Sequence, residues 1–575
     1  MNELWARLRQ RPGPAVLMFV ASLFANILGL ASSLYVIQVL KRYVSYGVDA
    51  TLATLTVGVI LAIVFEFGFR WSRMKLAAVV SGRPDHELGI GAFGILATAQ
   101  LGDLNKLAPG ERREAVSSVE QVESGFSAPN LTALFDLPFS IIYVGAIYLF
   151  SPMLAGIVLA FLIFVATVGV LNQMAVRPFT RKLAEHQSVG HGLIGTTSTA
   201  AESVRAFGAA QKLIGDWSAN LTAVQSLRRS LARRQGVVQS MTQSAQGLMG
   251  AAVIGVGATL VVKGELDVSM MIGANLLAAR ALQPITRFAQ LSEALVKSRQ
   301  ALDRVRGLSA LSVERGEGAA LREYSGALEL RDVSFTPPGA PGPLFEELTV
   351  KIEPGQVVAL VGRNGAGKTT LMRMMAGLIG PDRGQILADG VDLRQIVPGW
   401  WRKQLVYLPQ EPTFFNTTIR DNLKMLNPDL SDEALEALLE RSGAARFVHE
   451  TPNGLDTRIT GDGLTLARGV RRRLAVARAM ASGGRVVLFD EPTEGMDDEG
   501  VRQVYESLIQ LARAGRTIVI SSHDPQIIKG AQIMVDLDAK PKPTVTSLSK
   551  EPAGASKDWG AGARGRPPVK PKAAE

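Results

Sequence analysis

Residues 356–378, QVVALVGRNGAGKTTLMRMMAGL, combine the residue types and the spacing needed to hold phosphate. An apolar run leads into Gly362, Arg363, Asn364, Gly365, Ala366, Gly367, Lys368, Thr369 and Thr370, and a helix-like stretch follows. This is G-x-x-x-x-G-K-[ST] in a strand–loop–helix setting, the form of a phosphate-binding loop. Glycines let successive backbone N–H groups curl around phosphate oxygens, and the helix N-terminus favours an anion. Lys368 is placed to reach the β- and γ-phosphates of a nucleotide, and the Thr369 hydroxyl to ligate Mg²⁺. A second cluster is RVVLFDEP, where Val486 to Phe489 read as a buried strand delivering two adjacent carboxylates. Asp490 suits the metal, and Glu491 suits polarising an attacking water. Farther on, TIVISSHD reads as another buried strand with His523 at its end, within reach of the γ-phosphate or that water. The other histidines, His86, His186, His191 and His449, are given structural hydrogen bonds only.

Such residues need a scaffold that brings strand ends together. From about residue 326, strand-like runs (LELRDVSF and LTVKI first) and helix-like runs make an α/β pattern of soluble type as far as Asp538. Upstream the chain is of another kind. Of its 575 residues 47% are hydrophobic, a high share for a water-soluble protein. The apolar residues come in runs at about 15–40, 51–69, 131–150, 153–175, 248–263 and 268–285. These predict six bilayer spans, each needing ~20 apolar residues. Short and long links alternate between them. The short ones hold only Lys41, Arg42 and Lys263. The long ones and the N-terminus hold Arg7, Arg9 and Arg11, then Arg70, Arg73 and Lys75, then Arg177, Arg181 and Lys182, then Arg228, Arg229, Arg233 and Arg234. Positive-inside bias makes the long side cytoplasmic. The N-terminus is basic and then apolar to about Leu40 without a small-residue cleavage site, so it reads as an uncleaved first span. Long cytoplasmic helical extensions are expected between spans 2 and 3 and between spans 4 and 5. The net charge of +10 fits a basic face beside a bilayer, because no nucleic-acid module is visible. The absence of cysteine excludes disulfides and thiolate chemistry.

GRNGAGKTT, YLPQ, RRLAVARA, VVLFDEP and SSHD come in the order of an ATP-binding cassette, which this part of the chain resembles. With the spans before it, the chain up to about residue 540 resembles an exporter half-transporter. The fold class is then multidomain: an α-helical six-span transmembrane domain over 1–308, a linker over 309–325, and an α/β P-loop cassette domain over 326–540. A Lys/Pro/Ala-rich tail over 541–575 is expected to be disordered. Within the exporters, TLTVGVILAIVFEFGFRWSRMKL, ALFDLPFSIIYV, GANLLAARALQPITRFAQL and VSFTPPG are similar to the type I protein secretion ATPases.

The resemblance implies further roles by position. Gln410, in YLPQ, joins Thr369 and Asp490 at Mg²⁺ and couples the site to the membrane helices. Asp497, in TEGMD, matches the D-loop aspartate that contacts the opposite subunit. ATP and Mg²⁺ are the implied cofactors, and ATP hydrolysis coupled to transport the implied activity. The implied setting is the bacterial inner membrane, multi-pass, with the cassette on the cytoplasmic side. Implied partners are a second half-transporter in a homo- or heterodimer, a periplasmic adaptor, an outer-membrane channel, a secreted protein substrate and membrane lipid, with no nucleic acid. A lipid, glycolipid or drug exporter of the same architecture is the alternative, as is a non-pumping regulatory subunit of a heterodimer.

Two stretches depart from the cassette pattern. The aromatic residue that stacks on adenine would fall near Pro337, where there is no aromatic ring, and Phe335 reads as a strand residue. The signature motif, close to LSGGQ in the family, is here Leu466, Ala467, Arg468, Gly469 and Val470, its register fixed by RRRLAVARA. Ala467 removes a hydroxyl and Arg468 replaces a glycine, in a motif that acts on the opposite subunit's nucleotide. Three readings stay open: a slow homodimer, a heterodimer whose partner supplies an intact signature, or Arg468 substituting for the lost hydroxyl as an arginine finger would. Glu66 and Asp136, acids near the cytoplasmic ends of spans, are expected to be paired or structural.

Overall fold

The computed structural model describes residues 2–548. The chain divides into two compact units, one reaching Ser312 without Gln100–Asp103, the other made of those four residues and the chain from Val313.

Long helices make the first unit: Asp49–Thr98, Pro152–Thr199, Ala210–Val262 and Val268–Ser309, of 50, 48, 53 and 42 residues. At ~1.5 Å per residue the longest runs for about 80 Å, well beyond a hydrocarbon core of about 30 Å. The first three therefore each combine a span with an extension outside the bilayer. Between the second and third of them the chain turns through a short helix, Ala201–Ala206, and Gly208 at φ +62°. Among the described residues, five helical segments are long and apolar enough to cross a membrane: Pro12–Tyr46, Asp49–Thr98, Ala128–Tyr148, Pro152–Thr199 and Ala210–Val262. The sixth expected span, 268–285, is helical but does not join them. It carries Ser269, Asn275, Arg280 and Gln283, and one apolar side of it faces protein: Ala274, Leu277, Ala278 and Ala281 are fully buried, whereas Val268 and Leu276 are exposed. In the third segment, Pro138 sits in a 3₁₀ turn, Leu137–Phe139, that interrupts the α-helix.

Close approach explains some small residues in these helices. A Cβ on Gly257 would lie 2.6 Å from Met271 Cγ, and one on Gly273 would overlap Ile37. Both suspect acids are paired. Glu66 accepts from Arg70 (2.6 Å) and lies 3.7 Å from Arg280. Asp136 takes both ends of the Arg73 fork (2.5 and 3.0 Å) and a bond from Asn26 (3.1 Å).

Among the described residues, ten strands belong to the second unit: β1 (Leu328–Phe335), β2 (Phe345–Ile352), β3 (Val357–Val361), β4 (Arg383–Ala388), β5 (Val391–Asp392), β6 (Leu405–Leu408), β7 (Val486–Asp490), β8 (Thr517–Ser521), β9 (Ile533–Asp536) and β10 (Thr544–Ser547). An antiparallel sheet has the order β2-β1-β4-β5. The other sheet runs β10-β9-β3-β8-β7-β6, parallel except for β10. Strands covered on both faces need unbroken apolar runs, and β7 and β8 are buried at every position. Phe335 ends β1, opposite Phe345. The expected tail needs correction at its start, because β10 pairs with β9 from Thr544↔Asp536 to Ser547↔Ile533. The Lys/Pro-rich composition masked four strand-forming residues. Positions 549–575 lie outside the described residues.

Candidate nucleotide site

Four strand ends build the site. In the parallel sheet, Leu360 of β3 lies opposite Ser521 of β8, Ser521 opposite Asp490 of β7, and Phe489 opposite Leu408 of β6. The chain leaves these neighbouring carboxyl ends into the glycine loop, His523, Glu491 and Gln410 respectively. Ligands of open α/β sheets bind just outside such ends.

The loop is shaped by backbone that a side chain would disturb. Gly367 has φ +111°, and a Cβ there would lie 2.8 Å from Leu344 Cδ2. Lys368 opens the helix Lys368–Met375 and is buried, its ammonium donating to the Gly362 carbonyl (2.6 Å). The same nitrogen lies 2.8 Å from His523 Nε2 and 3.3 Å from Glu491 Oε1, and His523 is 3.9 Å from Glu491. Lys368, Glu491 and His523 therefore meet at one point. Beside them the Thr369 hydroxyl donates to Gln410 Oε1 at 3.4 Å. Asp490 is fully buried; its Oδ1 accepts from Ser521 (2.5 Å), and its Oδ2 has no hydrogen-bond partner among the described residues. A buried, unpartnered carboxylate oxygen is costly, and it fits a hydrated cation held with Thr369 and Gln410. Arg363, Asn364 and Gly365 are exposed at the loop's tip; Ala366 is buried and Thr370 half-buried. Two further residues support the loop from behind. Asp538 accepts from the Arg363 amide (2.9 Å), and Lys540 donates to the Ala366 carbonyl (2.9 Å). Composition concealed both, since they stand at the edge of the Lys/Pro-rich stretch.

No hydrogen bond or ion pair joins the signature stretch to the glycine loop among the described residues. Leu466 and Val470 pack against a hydrophobic core instead. Ala467 is the N-cap of the helix Arg468–Met480 and provides no side-chain cap. Ala467→Ser should supply one to an amide of the first turn and raise stability by about 1 kcal/mol. The denaturation midpoint of the full chain in detergent measures it; an unchanged midpoint would mean that the first-turn amides already have partners. Arg468 turns to Glu494 (3.3 Å) and lies across Gly495, where a Cβ would come within 2.9 Å of Arg468 Nε. Asp497 caps the next helix, accepting from the Gly500 amide (3.0 Å), and pairs with Arg473 (2.6 Å). The Gly500 amide, aided by Arg473, holds its carboxyl below the usual aspartate range.

Two family models match. The ABC transporter transmembrane region covers residues 15–285, and the ABC transporter model covers residues 345–494. Together they take in well over half the chain. The Toxin RTX-I translocation ATP-binding protein of Actinobacillus pleuropneumoniae is 26% identical over 524 residues, 90% of this chain and 73% of the relative. The alpha-hemolysin translocation ATP-binding protein HlyB of Escherichia coli O157:H7 is 27% identical over 529 residues, 91% of this chain and 74% of the relative. A solved bacterial Atm1-family ABC exporter with ATP bound shares the fold, with a TM-score of 0.80 at 19% identity over 92% of this chain and 94% of that one. Two matched regions, homologues along nine-tenths of the chain and a shared exporter fold agree: this chain belongs to the ABC transporters with fused transmembrane and ATP-binding domains, homologous to the type I secretion ATPases.

Proposed function

We propose that this ABC exporter uses ATP to move a protein or peptide out of the cell in a type I secretion route. The observation that carries the reading is homology along nine-tenths of the chain to toxin translocation ATPases. On this reading the chain sits in the bacterial inner membrane with its cassette in the cytoplasm. It pairs with a second half-transporter and meets a periplasmic adaptor and an outer-membrane channel. Cassette closure and reopening drive the membrane helices.

The chemistry follows from the chain's own groups. Amides of Gly362–Thr370 and the Lys368 ammonium bind and orient the triphosphate. Thr369, Gln410 and Asp490 would hold Mg²⁺, which would supply positive charge against the triphosphate. Glu491 accepts a hydrogen bond from the water that attacks the γ-phosphorus, releasing ADP and phosphate. His523 bonds the γ-phosphate or that water. Because Lys368 lies against Glu491 here, a bound γ-phosphate competes with that carboxylate for the ammonium.

The test is the ATPase rate of the chain in liposomes, with its secreted protein substrate added and, separately, with the lipid composition varied. The protein should stimulate turnover at fixed lipid composition. Stimulation by lipid alone would place the chain with the lipid exporters.

A further inference from the structure

Arg472 stands one turn along the helix Arg468–Met480, and the nucleotide-site reading gives it no task. It is only 2% exposed. Burying a guanidinium is expensive unless its donors find acceptors, and here the acceptors are backbone carbonyls of the catalytic segments. Nη1 donates to the Gln410 carbonyl (2.9 Å). Nε donates to the Pro492 carbonyl (3.3 Å), and Nη2 to the carbonyls of Asp490 (3.4 Å) and Glu491. One rigid fork thus joins the chain after β6 to the chain after β7.

The backbone it grips is unusual. Glu491 has φ +47°, a left-handed conformation that non-glycine residues seldom adopt and that persists only where surroundings impose it. Arg472 bonds the carbonyl of Glu491 itself and those on both sides, while the Glu491 amide donates to the Ser521 carbonyl and hydroxyl, both at 3.0 Å. That bend is what turns the Glu491 carboxylate toward Lys368 and His523. Arg468 and Arg473 hold the same segment farther along, through Glu494 and Asp497. Burial lowers the Arg472 pKa, with Glu494, Glu491 and Asp490 opposing that effect; arginine keeps its charge at neutral pH nonetheless.

We propose that Arg472 is a positioning residue for ATP hydrolysis: its fork fixes the bend that aims Glu491 and ties it to Gln410. The signature helix and the hydrolytic carboxylate then move as one body. The inference rests on Glu491 being the residue that polarises water.

Arg472→Lys keeps the charge but loses the planar fork, and Arg472→Gln loses the charge. In the full chain, kcat for ATP should fall about ten- to a hundredfold in both, the scale of a misplaced catalytic group. KM and the binding of a fluorescent ATP analogue should stay within about threefold of the parent, since the glycine loop is untouched. Parental kcat in Arg472→Lys would overturn the inference. So would a parallel loss of kcat, analogue binding and thermal midpoint in Arg472→Lys, which is the mark of a merely structural role. If Arg472→Gln does not fold, Arg472→Lys decides alone. Glu491→Gln is the control: should it hydrolyse ATP normally, the reading of Glu491 fails, whatever the Arg472 variants do.

Discussion

Glu491→Gln is expected to slow ATP hydrolysis by at least about a hundredfold, the lower range for losing a general base, while nucleotide binding is kept or tightened. The substitution preserves shape and leaves the backbone bonds of Glu491 in place. What it removes is a negative charge 3.3 Å from the Lys368 ammonium. Lys368 keeps the Gly362 carbonyl and His523 as neighbours, so it stays anchored and becomes more available to phosphate. An anion binds better where a carboxylate has been taken away, so the expected sign for affinity is upward. Single-turnover hydrolysis and equilibrium binding of ATP, measured on the same preparation, separate the two effects. If binding fell along with turnover, Glu491 would instead be acting as the anchor that shapes Lys368.

The residues around this pair were legible in the sequence for a physical reason. Parallel strands buried on both faces read as short apolar blocks, and function sits where each block ends. VVALV, VVLFD and TIVIS therefore announced both the sheet and the positions of Lys368, Asp490, Glu491 and His523. Arg472 carried no such signal. It lies in an arginine-rich run, and its four carbonyl acceptors are 18 to 62 residues away along the chain. Only tertiary structure shows that Arg472 is buried while Arg468 and Arg471 belong to a more exposed part of the helix. The altered signature gains sense in the same way. Arg468 fits because residue 495 has no side chain and residue 494 is acidic, a match made across the fold. In the membrane half, apolar runs marked the spans that face lipid. The run 268–285 reads as a span too, but polar residues interrupt it and its apolar side is buried among other helices, so it does not join the candidate spans.

Asp136 offers a large stability change outside the nucleotide site. Arg73 and Asp136 are 6% and 7% exposed as side chains, and their fork-to-carboxylate pair joins segments 63 residues apart. Removing one partner of a buried pair leaves the other charge without compensation. Asp136→Asn should therefore cost about 3–5 kcal/mol, although the side-chain volume hardly changes. Among the described residues Arg73 Nε already has no hydrogen-bond partner, so the guanidinium has little reserve. Asn26 loses less, because its amide also bonds the Ser22 carbonyl at 2.8 Å. Replacing both charges, Arg73→Met with Asp136→Leu, should recover most of the loss, since apolar side chains carry no desolvation cost at this depth. Denaturation midpoints of the parent, single and double variants in one detergent close the comparison. Recovery in the double variant assigns the damage to the stranded Arg73 charge. A double variant as unstable as Asp136→Asn would instead show that the carboxylate matters for its bond with Asn26, which in turn takes the Tyr143 hydroxyl on its own carbonyl.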